Sequence, residues 1–254
     1  MSFSKNIKIL PKRSSKLRIN SDVNTHIEFL YNSSSSESDN TNFNTILMET
    51  FMIIGKTFSR VNHLGIAAKE GYKVIIQPNE QYMIINLTDD STLNIRITSE
   101  NHIESHEILY DPFRFEHAEK ATIDVKKFKN KNIYPIPNDY IDILAKWYSI
   151  KFSYRDPDFN LIFIKPGLGI SFQTHQLRTE HWEILKGEPI IITGAKVTYN
   201  TPTGTKFDIP VGTLHTIINP NQEEDEWVVL KETFSGTFDE MDITRGFNPN
   251  KYQA

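Results

Sequence analysis

Between Pro166 and Gly187 the chain reads PGLGISFQTHQLRTEHWEILKG, which sets two amides, two imidazoles, two carboxylates and a guanidinium among alternating apolar residues. Polar groups on a strand that faces a core are costly unless something pairs with them. The spacing runs Gly167, five residues, Gln173, one residue, His175, four residues, Glu180, six residues, Gly187. A second stretch, GTKFDIPVGTLHTIIN, runs Gly204, five residues, Pro210, Gly212, two residues, His215, three residues, Asn219. Gln173 and His175 stand two apart on a strand and project to one face. Glu180 follows a four-residue break and can face the same interior from the next strand. Pro210 and Gly212 make a tight turn that returns His215 toward that interior. One amide oxygen, two imidazoles and a carboxylate form a donor set for Zn, Fe, Mn, Co or Ni, with no soft ligand. His181 and Glu183 have the opposite strand parity from Glu180 and are expected to point away. His102, His106 and His117 are read as ordinary hydrogen-bonded histidines.

These residues need a β framework, and the rest of the chain supplies one. Its 254 residues suffice for one large β domain or two small ones. From Thr45 to about Val125, short apolar runs such as YKVII and QYMIIN are broken by turn residues about every ten positions, as in a sandwich or barrel. Residues 1–44 are read as a basic arm and a polar linker, 45–130 as a β-rich domain, and 131–254 as the domain with the metal site. The segment VKKFKNKNIYPIPN is taken as the connection between domains. DYIDILAKWYSIKF has apolar residues at helical spacing and predicts a short helix capped by Asn138 or Asp139.

The net charge is −4 and the pI about 6.1, which gives no basic field for nucleic acid. Cysteine is absent, which rules out disulfides, thiolate metal sites and a thiol nucleophile and fits a reducing, cytoplasmic setting. No apolar run reaches the ~20 residues of a membrane span, and the basic N-terminus lacks the apolar segment of a signal peptide.

The two motifs resemble the paired signatures of the cupin superfamily, with Gln173 where the first motif's first His usually stands. The fuller pattern, PGxxxSxQxHxxRxEHW, IPxGxxHxxxN and SGTFDEMDITR, looks like the cupin domain of type II mannose-6-phosphate isomerases. It covers roughly Leu161 to Arg245. The resemblance implies a mostly β jelly-roll barrel at the C-terminal end, and bicupins make a degenerate second cupin one reading of the N-terminal region. It also implies a divalent metal, zinc first and Mn, Fe or Co after it, on Gln173, His175, Glu180 and His215. Three departures stand out. Asp158, Asn160 and Ile162 occupy a strand that usually contains Lys, no Arg follows Arg245, and residues 1–130 contain no nucleotidyltransferase Gly-rich loop.

The implied function is a metal-dependent aldose–ketose isomerase of the mannose-6-phosphate type, serving nucleotide-sugar synthesis. Its partner would be a small sugar phosphate, with neither nucleic acid nor membrane, and a homodimer through sheet edges by analogy with other cupins. Arg178 or Arg245 would hold the phosphate or support a developing oxyanion, and Glu180 stands among the groups that could move the proton. The rival readings are a non-catalytic metal- or sugar-binding module, and another cupin enzyme such as a nucleotide-sugar epimerase or an iron dioxygenase.

Overall fold

The computed structural model describes residues 2–30, 40–61, 71–237, 239 and 241–251. The chain divides into two compact units, Met1–Asp111 and Pro112–Ala254. Segment 112–130, expected with the first domain, therefore packs in the second unit. Both units are mostly β. No helix among the described residues is long and apolar enough to cross a membrane.

The first unit opens with β1 (Phe3–Ile9), β2 (Arg13–Ser14), β3 (Leu17–Ile19) and β4 (Thr25–Phe29). After α1 (Asn40–Met48) come β5 (Thr50–Ile54), β6 (Thr57–Arg60), β7 (Tyr72–Ile76), β8 (Gln81–Asn86), β9 (Leu93–Ser99) and β10 (Ile108–Tyr110). One sheet runs β1-β9-β4-β7, and a second set runs β10-β3-β8-β5-β6. Ile27, Phe29, Met52, Ile76, Ile84 and Ile95 are among the residues of the unit's core. Residues 3–29 are thus paired strands and not a flexible arm. Among the described residues β1 is an edge strand with only β9 beside it, and one half-buried face needs few apolar residues, so its composition reads as solvated. Of the polar linker expected up to residue 44, positions 31–39 lie outside the described residues, whereas 40–44 belong to α1. His106 is a buried hydrogen-bonded residue, held between Asp22 Oδ2 at 3.0 Å and Tyr82 Oη at 2.8 Å. His102 rests on the Phe3 ring, and His117 is exposed.

The second unit begins with α2 (Val125–Asn130), β11 (Asp142–Ala145), β12 (Ser149–Arg155) and β13 (Asp158–Ile164). It continues with β14 (Phe172–Thr174), β15 (Arg178–Lys186), β16 (Ile190–Thr193) and β17 (Lys196–Thr198). Last come β18 (Lys206–Ile209), β19 (His215–Ile218), β20 (Val228–Gly236) and β21 (Thr244–Phe247). One antiparallel sheet has the order β11-β12-β13-β20-β15-β18, and facing it stands the antiparallel set β17-β16-β19-β14-β21. Between them Ile164, Trp182, Ile184, Ile191, Ile217 and Leu230 fill the interior, the curled double layer of a jelly roll.

Alternation along each strand separates two environments. On β12, Ile150, Phe152 and Tyr154 point outward into a second cluster with Phe128 of α2 and Trp227, while Ser149, Lys151 and Ser153 take the interior parity. The expected helix over 139–148 is not formed. Asp142–Ala145 pair with β12 through Ile143↔Phe152 and Leu144↔Lys151. Burying Ile143 and Tyr140 against the outer cluster outweighs the helical spacing.

Candidate metal centre

The polar residues of the first motif gather where the two sheets meet at one end of the apolar interior. Gln173 lies on β14 and pairs with His215 of β19 on one side and Arg245 of β21 on the other. Arg178, Glu180 and Trp182 follow along β15 with inward parity, and His175 comes directly after β14, before the Gln176–Leu177 turn. That turn is fastened by Asp242, whose two carboxylate oxygens accept from the backbone N–H of Gln176 and Leu177, each at 2.8 Å. These amides hold the Asp242 pKa below the usual carboxylate value against the opposing effect of desolvation. Gly236 (φ +103°) lets β20 pass the turn, since a Cβ there would meet the Leu177 carbonyl oxygen at 2.5 Å.

His175, Glu180 and His215 come together, all buried, with one ligand atom from each lying within 4.8 Å of the others. Glu180 Oε1 is 3.0 Å from His175 Nε2, and Oε2 is 3.3 Å from His215 Nε2. Glu180 also accepts from Arg178 Nε at 3.0 Å and Trp182 Nε1 at 3.2 Å. Burial by itself would raise the Glu180 pKa. The two imidazoles beside it outweigh that and hold the carboxyl well below its ordinary range, so it stands ionised.

The tautomers follow from the partners. His175 Nδ1 lies 2.9 Å from the Asp242 carbonyl oxygen, and His215 Nδ1 lies 2.9 Å from that of Thr213. A carbonyl only accepts, so both Nδ1 atoms carry the proton and a neutral ring has its lone pair on Nε2. Arg178 Nη2, which only donates, approaches His175 Nε2 at 3.1 Å and agrees with this. His215 Nε2 is buried without a hydrogen bond of acceptable geometry. With both rings neutral, two imidazole lone pairs and a carboxylate converge on one point, an arrangement that a divalent cation satisfies. Without a cation, a ring that also carries a proton on Nε2 donates to Glu180, and it is in that state that the imidazoles lower its pKa. Anchoring of Nδ1–H by a backbone carbonyl is the usual support of a metal-ligating His. Separations of 3.0 and 3.3 Å also fit neighbouring ligands on bonds of about 2.1 Å. The residues fit a metal.

A cleft opens onto this cluster, reaching Gln173, Arg178 and Glu180. Gln173 Oε1 accepts from Ser171 Oγ at 3.0 Å. Arg245 is exposed on the cleft wall, far less enclosed than Arg178. Arg178 is almost fully buried, and its Nη1 donates to the Asp239 carbonyl at 3.2 Å, so each of its nitrogens contacts protein. His181 points outward as its parity requires, where it pairs with Asp208 at 2.7 Å, and Glu183 is likewise off the site.

Sequence reasoning missed Glu232. It occupies the inward parity of β20 behind Val228 and Leu230, pairs in register with Trp182 and Asn160, and lines the same cleft. Asn160 Nδ2 donates to its Oε1 at 2.8 Å. Desolvation first and the Glu180 charge second push its pKa up to about 7. The alternation of VVLKETFSG contained the signal, a carboxylate in phase with two core residues.

Residues 153–246 match the family described as "Mannose-6-phosphate isomerase C-terminal". A mannose-1-phosphate guanylyltransferase from Klebsiella pneumoniae is 33% identical over 104 residues, which is 39% of this chain and 22% of that one. One from Salmonella montevideo is 33% identical over 127 residues, 50% of this chain and 26% of that one. The chain thus spans about a quarter of the length of these relatives. A sugar phosphate isomerase of the cupin superfamily from Silicibacter pomeroyi superposes with a TM-score of 0.31 at 16% identity, covering 38% of this chain and 76% of that one. Residues 153–246 are, as the two motifs implied, similar to the C-terminal domain of mannose-6-phosphate isomerases.

Proposed function

We propose that the second unit is a metal-dependent sugar-phosphate isomerase site that interconverts an aldose phosphate and its ketose, with mannose 6-phosphate and fructose 6-phosphate as the first pair to test. The observation that carries this reading is the buried His215 Nε2, which has no hydrogen-bond partner and lies 3.3 Å from an ionised carboxylate. His175, Glu180 and His215 would hold the ion, with the Gln173 amide beside them. Zinc is the first choice for this nitrogen and oxygen set, and Mn, Fe or Co the next. A bound divalent ion supplies Lewis-acid polarisation of the sugar carbonyl and its neighbouring hydroxyl.

The remaining roles belong to the chain. Arg178 holds Glu180 and His175 in place, which makes it a positioning residue instead of the phosphate clamp that its type suggested. Glu232 lines the cleft with a pKa of about 7, suited to taking a proton from one sugar carbon and returning it to the next near neutral pH. Trp182 and the isoleucines beneath close the floor of the site against water.

Arg178 also favours a second reading, a binding module without chemistry, because its guanidinium already supplies a cation to Glu180. A coupled assay on protein loaded in turn with Zn, Mn, Co and Fe separates the two, with His215→Ala as the blank. Turnover that disappears in the variant supports the isomerase. Metal binding with no turnover on these sugars moves the assignment to the module.

A further inference from the structure

A histidine presents either ring nitrogen to an ion, and the bond made by the other nitrogen decides which. For His215 that bond is local, to the Thr213 carbonyl two residues away. For His175 it arrives from a distant part of the sequence. Its Nδ1 meets the carbonyl oxygen of Asp242, 67 positions along the chain, at 2.9 Å.

Asp242 also grips the backbone on which the His175 ring is mounted. Its two carboxylate oxygens take the Gln176 and Leu177 amides, each at 2.8 Å. A carboxylate accepts both amides at once, whereas a carboxamide has one oxygen to offer. The carbonyls of this stretch are held as well, His175 by the Gly212 N–H at 2.7 Å and Leu177 by the Thr237 N–H at 3.0 Å. The Asp242 side chain is only 7% exposed, so water cannot readily replace its bonds. Its N–H donates to the Asp239 carbonyl at 3.1 Å, and that oxygen also takes Arg178 Nη1 at 3.2 Å. Fastening a turn needs the two carboxylate bonds alone. The third bond, from the same residue to the ring, ties the place of the turn to the direction of the imidazole.

We propose that Asp242 is a positioning residue of the metal centre. Its carboxylate locks the 176–177 turn so that its own carbonyl keeps the proton on His175 Nδ1 and aims Nε2 at the ion. This rests on the reading of His175, Glu180 and His215 as the metal cluster. Asp242 itself touches neither metal nor substrate.

Calorimetric titration of the full chain with zinc tests this. Asp242→Ala should weaken zinc binding about 10–100-fold, and Asp242→Asn, which can keep one of the two amides, should fall between it and wild type. Phe128→Leu loosens the outer cluster of the same unit, away from the ligands, and should keep the wild-type affinity. The second measurement is hydrogen exchange of the histidine ring protons in metal-free protein, followed by NMR with labelled histidine. The His175 Nδ1–H should exchange at least about tenfold faster in Asp242→Ala, with that of His215 unchanged. Equal zinc affinity in wild type and Asp242→Ala, or an unchanged His175 exchange rate, overturns the proposal and leaves the metal centre standing. A drop of the same size in Phe128→Leu also overturns it, since affinity then follows stability alone. A wild type that binds no zinc overturns the centre, and the proposal with it. Should Asp242→Ala fail to fold, Asp242→Asn serves for both measurements, and wild-type values in that variant overturn the proposal.

Discussion

Glu180→Gln separates the two demands on the cluster, holding a cation and holding the barrel together. In the metal-free protein the substitution removes the partner of a buried guanidinium, since Arg178 and Glu180 are 5% and 2% exposed. Breaking a buried pair by neutralising one member costs about 3–5 kcal/mol. The Gln amide adds an N–H that can serve the unpartnered His215 Nε2, recovering about 0.5–1.5 kcal/mol. The net loss is about 2–4 kcal/mol, which at about 2–4 °C per kcal/mol lowers Tm by roughly 4–16 °C. Metal affinity should fall further, by at least about 100-fold, because even outer supports of metal ligands change affinity by 10–100-fold. The assay is thermal unfolding with and without zinc. At a ligand concentration of about 1,000 Kd, wild type should gain about 4 kcal/mol, and the variant at the same zinc concentration should gain about 1.4 kcal/mol or less. A variant that keeps the full zinc-induced rise would refute the assignment of Glu180 as ligand. One that matches wild type without metal would refute the pairing energetics.

His175→Ala and His215→Ala should each abolish stoichiometric zinc binding by calorimetry, together with any turnover in the coupled assay. Glu232 has a raised pKa, so its stabilising effect is present below about pH 4.5 and lost as pH rises through about 7. In metal-free protein Glu232→Gln should therefore gain up to about 3 kcal/mol over wild type at pH 8 and nothing at pH 4, read by urea unfolding. Asp22, buried against His106, has its pKa lowered to about 2, chiefly by the hydrogen bonds from His106 and Asn101 that overcome desolvation. Its contribution of about 2 kcal/mol is present above about pH 4 and lost toward pH 2, so Asp22→Asn should flatten that part of the acid-unfolding profile of the first unit. Gly236→Ala should cost roughly 1–3 kcal/mol, measured by chemical denaturation, since the new Cβ meets the Leu177 carbonyl at a positive φ.

The convergence of His175, Glu180 and His215 was legible because their spacing constrains it. His175 and Glu180 are tied by one turn, and His215 by a Pro-Gly corner, so order and interval alone bring them to one interior. The inward parity of Lys151 and Glu232 was equally present in SIKFSYR and VVLKETFSG, yet it has meaning only once the strands' inner faces are known, and those depend on pairings far apart in the chain. The same long-range pairing explains the two misread segments. β1 reads as polar because one neighbour covers it, and DYIDILAKWY reads as helical until Ile143 finds Phe152. Arg178 shows the limit of residue type. Its guanidinium suggested substrate binding, whereas its nitrogens already contact Glu180, Asp239 and His175 even where it borders the cleft.

The cluster is layered in depth. Glu180 and Arg178 border the cleft, His175 and His215 do not, and behind them the interior is packed hydrocarbon. An ion held by the three residues would therefore meet solvent on its carboxylate side, and the two imidazoles would be the donors last exposed to a competing chelator.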